Sequence, residues 1–148
     1  MMSAVLLDAN VLVYALDSLA GKRHHRARSI VASLGGTGAA VSTQVLSEYS
    51  NVATHPNKMA MNAALVAVSV RRIEVDFSVV QVTAETVVRA LEARERWQLS
   101  SYDAQIWASA ALAGIPVVLS EDFSDGLELG PVRFVNPFCE GFDVASVY

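Results

Sequence analysis

The sequence has a single cysteine, Cys139, so it closes no internal disulfide and builds no multi-cysteine zinc site. Its three histidines do not form an H-E-x-x-H pattern, which removes the common helical zinc-hydrolase signature. No apolar stretch reaches the ~18 residues of a membrane span, because charged or polar residues interrupt every one. The opening, MMSAVLLDAN, has no basic head and reaches an acid at Asp8, unlike a signal peptide. A soluble, cytoplasmic protein with no membrane partner is expected. Positive charge is also scarce: 11 Lys and Arg stand against 15 Asp and Glu, a formal charge of −4. That excludes a binder held to nucleic acid by phosphate attraction alone, though not an enzyme whose acids hold a cation. Repeats, low-complexity tracts and Pro/Ser-rich linkers are missing too.

What is present describes a folded domain. The 148 residues are 53% hydrophobic and 18% charged, which argues against disorder and for one domain over 1–148 with a substantial core. Short, unalternating apolar runs at Ala4–Leu7, Ala39–Ser42, Val79–Val82, Val117–Leu119 and Pro131–Val135 read as buried strands. Between them lie helical patterns over roughly Val11–Leu16, Lys22–Leu34, Gln44–Ala53, Asn57–Arg72, Ala84–Gln98 and Ser101–Ala113. Thr83 and Ser100 can cap the last two, and Gly114 suits the end of the final one. Helices alternating with such strands predict an α/β domain, a mainly parallel sheet of four or five strands covered on both faces. The tail after Pro137 carries no assignment.

Parallel sheets of this kind bind ligands outside the carboxyl ends of their strands. Asp8 follows the first strand and Asp122 lies three residues beyond the fourth. Glu48 falls in the second turn after Ser42, and Asp103 in the first turn after Ser100. Taken singly, each has an ordinary reading: a turn acid, a loop acid, a helix surface glutamate, a capping-box acid. Together, four acids from distant segments share one rim. On a wheel of roughly 100° per residue, Asp103 shares the stripe of Ile106, Trp107 and Ala110, with Gln105 and Ser109 on the opposite, polar face. Acids turned inward are costly unless paired or bound to a cation. Hard oxygen ligands select Mg²⁺ or Mn²⁺, and such an ion suits phosphodiester hydrolysis.

The segments Leu7-Asp8-Ala9-Asn10, Val41-Ser42-Thr43-Gln44-Val45-Leu46-Ser47-Glu48, Ser101-Tyr102-Asp103 and Leu119-Ser120-Glu121-Asp122-Phe123 resemble, in this order, the PIN-domain ribonucleases. Length and order resemble in particular the VapC-type toxins of toxin–antitoxin pairs, and the resemblance runs from about Val5 to Phe138. It implies a three-layer α/β/α sandwich and an acidic, Mg²⁺- or Mn²⁺-dependent site that cuts RNA with activated water. Asp8, Glu48, Asp103 and Asp122 match the family's acidic quartet, with Asp8, Asp103 and Asp122 as metal ligands. Asn10 matches a supporting polar residue, and Ser120 the orienting Ser/Thr before the last acid. Asp125 stands as a supplement to, or replacement for, Asp122. The resemblance further implies a homodimer and a cognate antitoxin.

Other features carry less. The basic run Lys22–Arg28 reads as a solvated helix face or an RNA guide. Trp107 lies on a buried stripe and reads as core, whereas Trp97 has no clear assignment. Two other functions compete. A haloacid-dehalogenase-type phosphatase would use Asp8 as nucleophile, but it has a second acid where this chain has Asn10. A non-catalytic RNA- or protein-binding module of the same fold would not need all four acids.

Overall fold

A computed structural model describes residues 4–147. The reading of the opening segment as no leader therefore rests in part on residues 1–3, outside the described residues. Six strands form one sheet in the order β3-β2-β1-β4-β6-β5. They are β1 (Val5–Leu7), β2 (Ala40–Ser42), β3 (Ser78–Val80), β4 (Val117–Leu119), β5 (Glu128–Leu129) and β6 (Val132–Val135). All neighbours run parallel except the β5–β6 hairpin. Six helices accompany them: α1 (Ala9–Leu16), α2 (Lys22–Leu34), α3 (Thr43–Thr54), α4 (Ala63–Asp76), α5 (Ala84–Trp97) and α6 (Ser101–Ala113).

The three central strands β1, β2 and β4 are buried at every residue, as parallel strands covered on both faces must be. Edge strand β3 is only partly covered. The fold is thus the expected α/β/α sandwich with a mostly parallel sheet. Its core centres on Leu6, Leu7, Val41, Leu119 and Phe134, with Ile106 and Trp107 of α6 above them.

Register levels the strand ends. Leu7 faces Leu119 and Ser42 faces Val80. The ladder continues one step further, with Asp8 N–H donating to Leu119 O at 2.9 Å and Ser120 N–H to Val135 O at 3.0 Å. Two strands pass into helices with no intervening loop. Asp8 is the N-cap of α1, its carboxylate accepting from Ala9 N–H at 2.7 Å. Ser42 ends β2 and caps α3, accepting from Val45 N–H at 3.1 Å. Rim side chains are therefore fixed to regular elements.

Three boundaries differ from the sequence reading. Helix α4 begins at Ala63 and runs to Asp76, rather than spanning Asn57 to Arg72. Residues 56–59 instead form a turn, tied by Lys58 and Ala60 N–H to His55 O at 3.0 Å, and Asn62 supplies the cap to Ala64 N–H. Strand β3 stops at Val80, because Val82 N–H turns to Thr43 Oγ1 at 3.0 Å. Strand β5 adds a sixth strand: two residues that pair only with β6 across a turn where Gly130 takes φ +56°.

Helix α6 is not amphipathic. Gln105 is half-buried and Ser109 fully buried, its hydroxyl donating to Gln105 O at 2.9 Å, because α5 covers the side opposite the sheet. Trp107 is core, and its Nε1–H donates to Leu129 O at 2.8 Å. Trp97 packs edge-on against it with Arg96 over its ring. The tail folds back: Phe138 packs on Tyr14, and a short helical turn, Val144–Val147, buries Val147. Among the described residues no helix is long and apolar enough to cross a membrane.

Candidate active site

The site is organised around one hydroxyl. Ser120 is completely buried, and its Oγ–H donates to Asp8 Oδ2 at 2.7 Å. The same oxygen accepts from Asn10 Nδ2 at 3.2 Å and from Asp122 N–H at 3.1 Å. One donor and two lone pairs are thereby all in use. This fixes Asp8, itself only 6% exposed, against the turn that presents Asp122. It also fixes the Asn10 amide with its Oδ1 inward, where that oxygen is buried and has no partner.

A second set of bonds joins α3 to α6. Gln44 Nε2 donates to Glu48 Oε1 at 2.5 Å, one helical turn on, and to the Tyr102 carbonyl at 3.3 Å. Gln44 is a buried strut between the helix of Glu48 and that of Asp103, with its own Oε1 left unpartnered. Asp103 N–H is capped by Ser100 Oγ at 3.2 Å, and a hydrogen bond from Ser100 also holds down the proton affinity of its half-buried carboxylate.

Electrostatics tie the four acids together. Burial is the main cause that raises the Asp8 carboxyl to about 7; the hydrogen bonds from Ser120 and Ala9 N–H hold it down, and the nearby charges of Asp122 and Glu48 add to the rise. Burial also raises Glu48, with Asp122 and Asp103 adding to it. Asp103 is raised by burial and by Asp122. The charges acting on these three groups are all acidic, so the rim carries no internal counter-ion.

The neighbouring Glu121 behaves differently. One of its oxygens accepts a very short hydrogen bond from Tyr14 Oη–H, and the other pairs with Arg23 Nε at 3.0 Å. That contact pushes the tyrosine hydroxyl up to about 12. Arg23 comes from the basic run, and Arg26 of the same run donates to the Pro137 carbonyl at 3.1 Å. At these two positions the run serves intramolecular anchoring rather than a bare solvated face. Asp125 is spent on loop closure, accepting from Asn136 N–H at 2.9 Å, and does not figure among the charges felt by Asp8, Glu48 or Asp103.

The four acids expected from the sequence lie near one another in the structure, along with Asn10 and Ser120. The sequence reading missed Gln44, whose position four residues before Glu48 was a usable signal. It also missed the Tyr14–Glu121–Arg23 tether, which no local pattern announces.

Among the described residues no three His, Cys, Asp or Glu side chains stand close enough to enclose a metal ion as they are. The donor chemistry nonetheless fits Mg²⁺ or Mn²⁺. Mg²⁺ keeps several of its waters and takes only one or two carboxylates, so a closed three-acid cage is not required. Unpartnered Asn10 Oδ1 beside Asp8 and Ser120 is an acceptor such waters can satisfy.

The sequence profile of the PIN domain family matches residues 5–124. No curated protein matches the chain in sequence. Several solved structures share the fold. VapC20 of Mycobacterium tuberculosis, a sarcin-ricin loop cleaving toxin, is 22% identical over 77% of this chain and 86% of its own, with a TM-score of 0.63. A DNA-bound VapBC from Salmonella typhimurium is 19% identical over 90% of this chain and 97% of its own, at a TM-score of 0.65. A toxin–antitoxin complex from Klebsiella pneumoniae is 20% identical over 90% and 98%, at 0.61. At such identities the likeness is one of fold.

Proposed function

Because the chain belongs to the PIN domain family, we propose that it is a metal-dependent endoribonuclease and the toxin of a toxin–antitoxin pair. The observation that carries the reading is the rim itself: Asp8, Glu48 and Asp103 have their proton affinity raised by burial and by neighbouring acids, Asp122 among them, with no basic residue among the charges upon them. Like charges gathered around one buried and two half-buried carboxylates, without a counter-ion among them, are a cation site in waiting.

Asp8, Asp103 and Asp122 would hold Mg²⁺ or Mn²⁺, directly or through water. When bound, the ion supplies charge neutralisation at the phosphoryl oxygens and a water of lowered pKa. The chain's own residues do the rest. Ser120 orients Asp8, and Asn10 offers a carbonyl to ordered water. Glu48, half-buried and with raised proton affinity, takes the proton from the attacking water. In-line attack on phosphorus breaks the P–O3′ bond, leaving a 5′-phosphate and a 3′-hydroxyl.

The antitoxin is the second part of the proposal. A rim of unneutralised acids at the end of the sheet fits a partner that presents arginine, which pairs with carboxylates through two parallel hydrogen bonds. A homodimer acting in the cytoplasm completes the reading, with the activity carried by one domain over 1–148. The antitoxin draws support from the structures that share the fold, among which are a VapBC and a toxin–antitoxin complex.

The deciding experiment is cleavage of total RNA by the purified chain with Mg²⁺, with Mn²⁺ and with EDTA, beside Asp8→Asn and Asp103→Asn. Discrete, metal-dependent products that disappear in both variants are expected. Equal cleavage by Asp8→Asn would remove the assignment.

A further inference from the structure

Beside Glu48 the rim opens into a cleft of about 580 Å³ between α3 and α6. Gln44, Ser47, Glu48 and Asn51 form one wall, at the i, i+3, i+4, i+7 spacing of a single helix face. Tyr102 and Gln105 form the other. On most helices such a stripe facing a neighbour is apolar. Here it is built from two amides, a hydroxyl and the Glu48 carboxylate, while the apolar residues of α3, Val45, Tyr49 and Ala53, pack into the core on the other side.

These polar groups are uncommitted. The side chains of Ser47, Asn51 and Gln105 have no hydrogen-bond partner among the described residues. Gln44 is committed through its nitrogen, but its buried Oε1 is not paired. Tyr102, which lines the cleft, is 64% exposed as a residue.

The lining selects its ligand by exclusion. No Lys, Arg or His faces the cleft, so it does not suit a phosphate or another anion. Val52 is its one aliphatic residue, so it does not suit an acyl chain or an apolar peptide side chain. What fits is a neutral, planar group with donors and acceptors along its edge and a face to stack. A nucleobase has these properties. Asn and Gln amides read base edges with paired donor and acceptor contacts, and tyrosine stacks on any unpaired base. The cleft shares Glu48 with the acidic rim, so its occupant would be a nucleotide beside the bond being cut.

We propose that the α3–α6 cleft takes one unstacked base of an RNA strand, with Tyr102 as the stacking surface and Asn51 and Gln105 reading its edge. The inference rests on the ribonuclease reading and names how that enzyme would choose its cutting position.

The test has a binding arm and a cleavage arm. Labelled single-stranded homopolymers of A, C, G and U are titrated against Asp8→Asn protein, and against the same protein carrying Tyr102→Ala, Tyr102→Phe, Asn51→Ala or Gln105→Ala. One homopolymer should bind best. Tyr102→Ala should weaken binding to all four by about tenfold, Tyr102→Phe should not, and either amide variant should flatten the preference. Asn51 and Tyr102 are exposed, so their variants test binding rather than folding. In the cleavage arm, Asn51→Ala and Gln105→Ala in the otherwise unaltered chain should broaden the nucleotide preference at the cut and raise KM more than they lower kcat. Equal binding of all four homopolymers, or no RNA binding, overturns the inference. So does a cut-site profile identical in every variant, and in that case the ribonuclease reading survives. Base-selective binding that depends on the cleft, with no cleavage by the unaltered chain, would keep the cleft and remove the ribonuclease.

Discussion

Asp8 carries the largest conflict of interest in the molecule. It sits at the end of the central strand, caps a helix, and holds a carboxyl that burial pushes to about 7 from an ordinary 3.8. Because the folded form binds this proton more tightly than the unfolded chain does, the contribution to stability is full below about pH 4 and is lost as pH rises through about 7. A shift of this size corresponds to about 4 kcal/mol. In EDTA, urea unfolding should show stability falling between these limits. Asp8→Asn should remove most of that slope and be the more stable protein at pH 8, although its amide cannot accept the Ser120 hydroxyl at the same place. A slope unchanged by the substitution would show that Asp8 is not the group responsible. Metal affinity should move the opposite way, rising with pH as Asp8 loses its proton. Ser120→Ala should cost about 2–3 kcal/mol, because it strands the buried Asn10 amide and Asp122 N–H while removing a bond that favours Asp8 ionised. Its activity profile should shift to higher pH, which a pH–rate curve would reveal.

At the scale of elements, legibility followed local chemistry. Helices α2 and α6 ended where the sequence placed them, because Gly21, Ser100 and Gly114 are signals read within a few residues. The start of α4 was misplaced because Asn57-Lys58-Met59-Ala60-Met61 holds no Gly or Pro to break the pattern, while the true cap, Asn62, lies inside it between Met61 and Ala63. Strand β5 was invisible because two residues carry no periodicity. In the site, the positions of the acids followed from strand ends and helix turns. The Ser120 hub, the Gln44 strut and the Glu121 tether depend on side chains meeting across some 60 to 110 positions, which no local pattern encodes. The strut can be tested by itself. Gln44→Met keeps the length and removes both hydrogen bonds along with the orphaned oxygen. Stability should change by no more than about 1 kcal/mol, whereas kcat should fall about tenfold or more as Glu48 loses its orientation. Asn62→Ala, which removes only the cap bond to Ala64 N–H, should cost about 1 kcal/mol with activity intact.

For the whole molecule, a net charge of −4 and an acidic rim together oppose the approach of RNA. Association should therefore be weak in EDTA and strengthened by Mg²⁺ or Mn²⁺ far more than a monovalent salt of equal ionic strength could achieve. A titration of labelled RNA under the three conditions would measure this. The same ions should raise the melting temperature of the chain in proportion to the logarithm of their concentration once above Kd. That gain should disappear in Asp8→Asn.

The buried carboxyl at the end of β1 also bears on inheritance. If the activity harms the cell that makes it, survivors will carry lesions in this gene. Most random lesions in a core would remove the protein from the cell by unfolding it. On the reading proposed above, a change at Asp8 would silence it while leaving a sturdier chain behind. Silent alleles of that kind would stay abundant and keep folding, and would still occupy any partner that recognises the rest of the surface. Protein level would then say nothing about whether the gene is still armed.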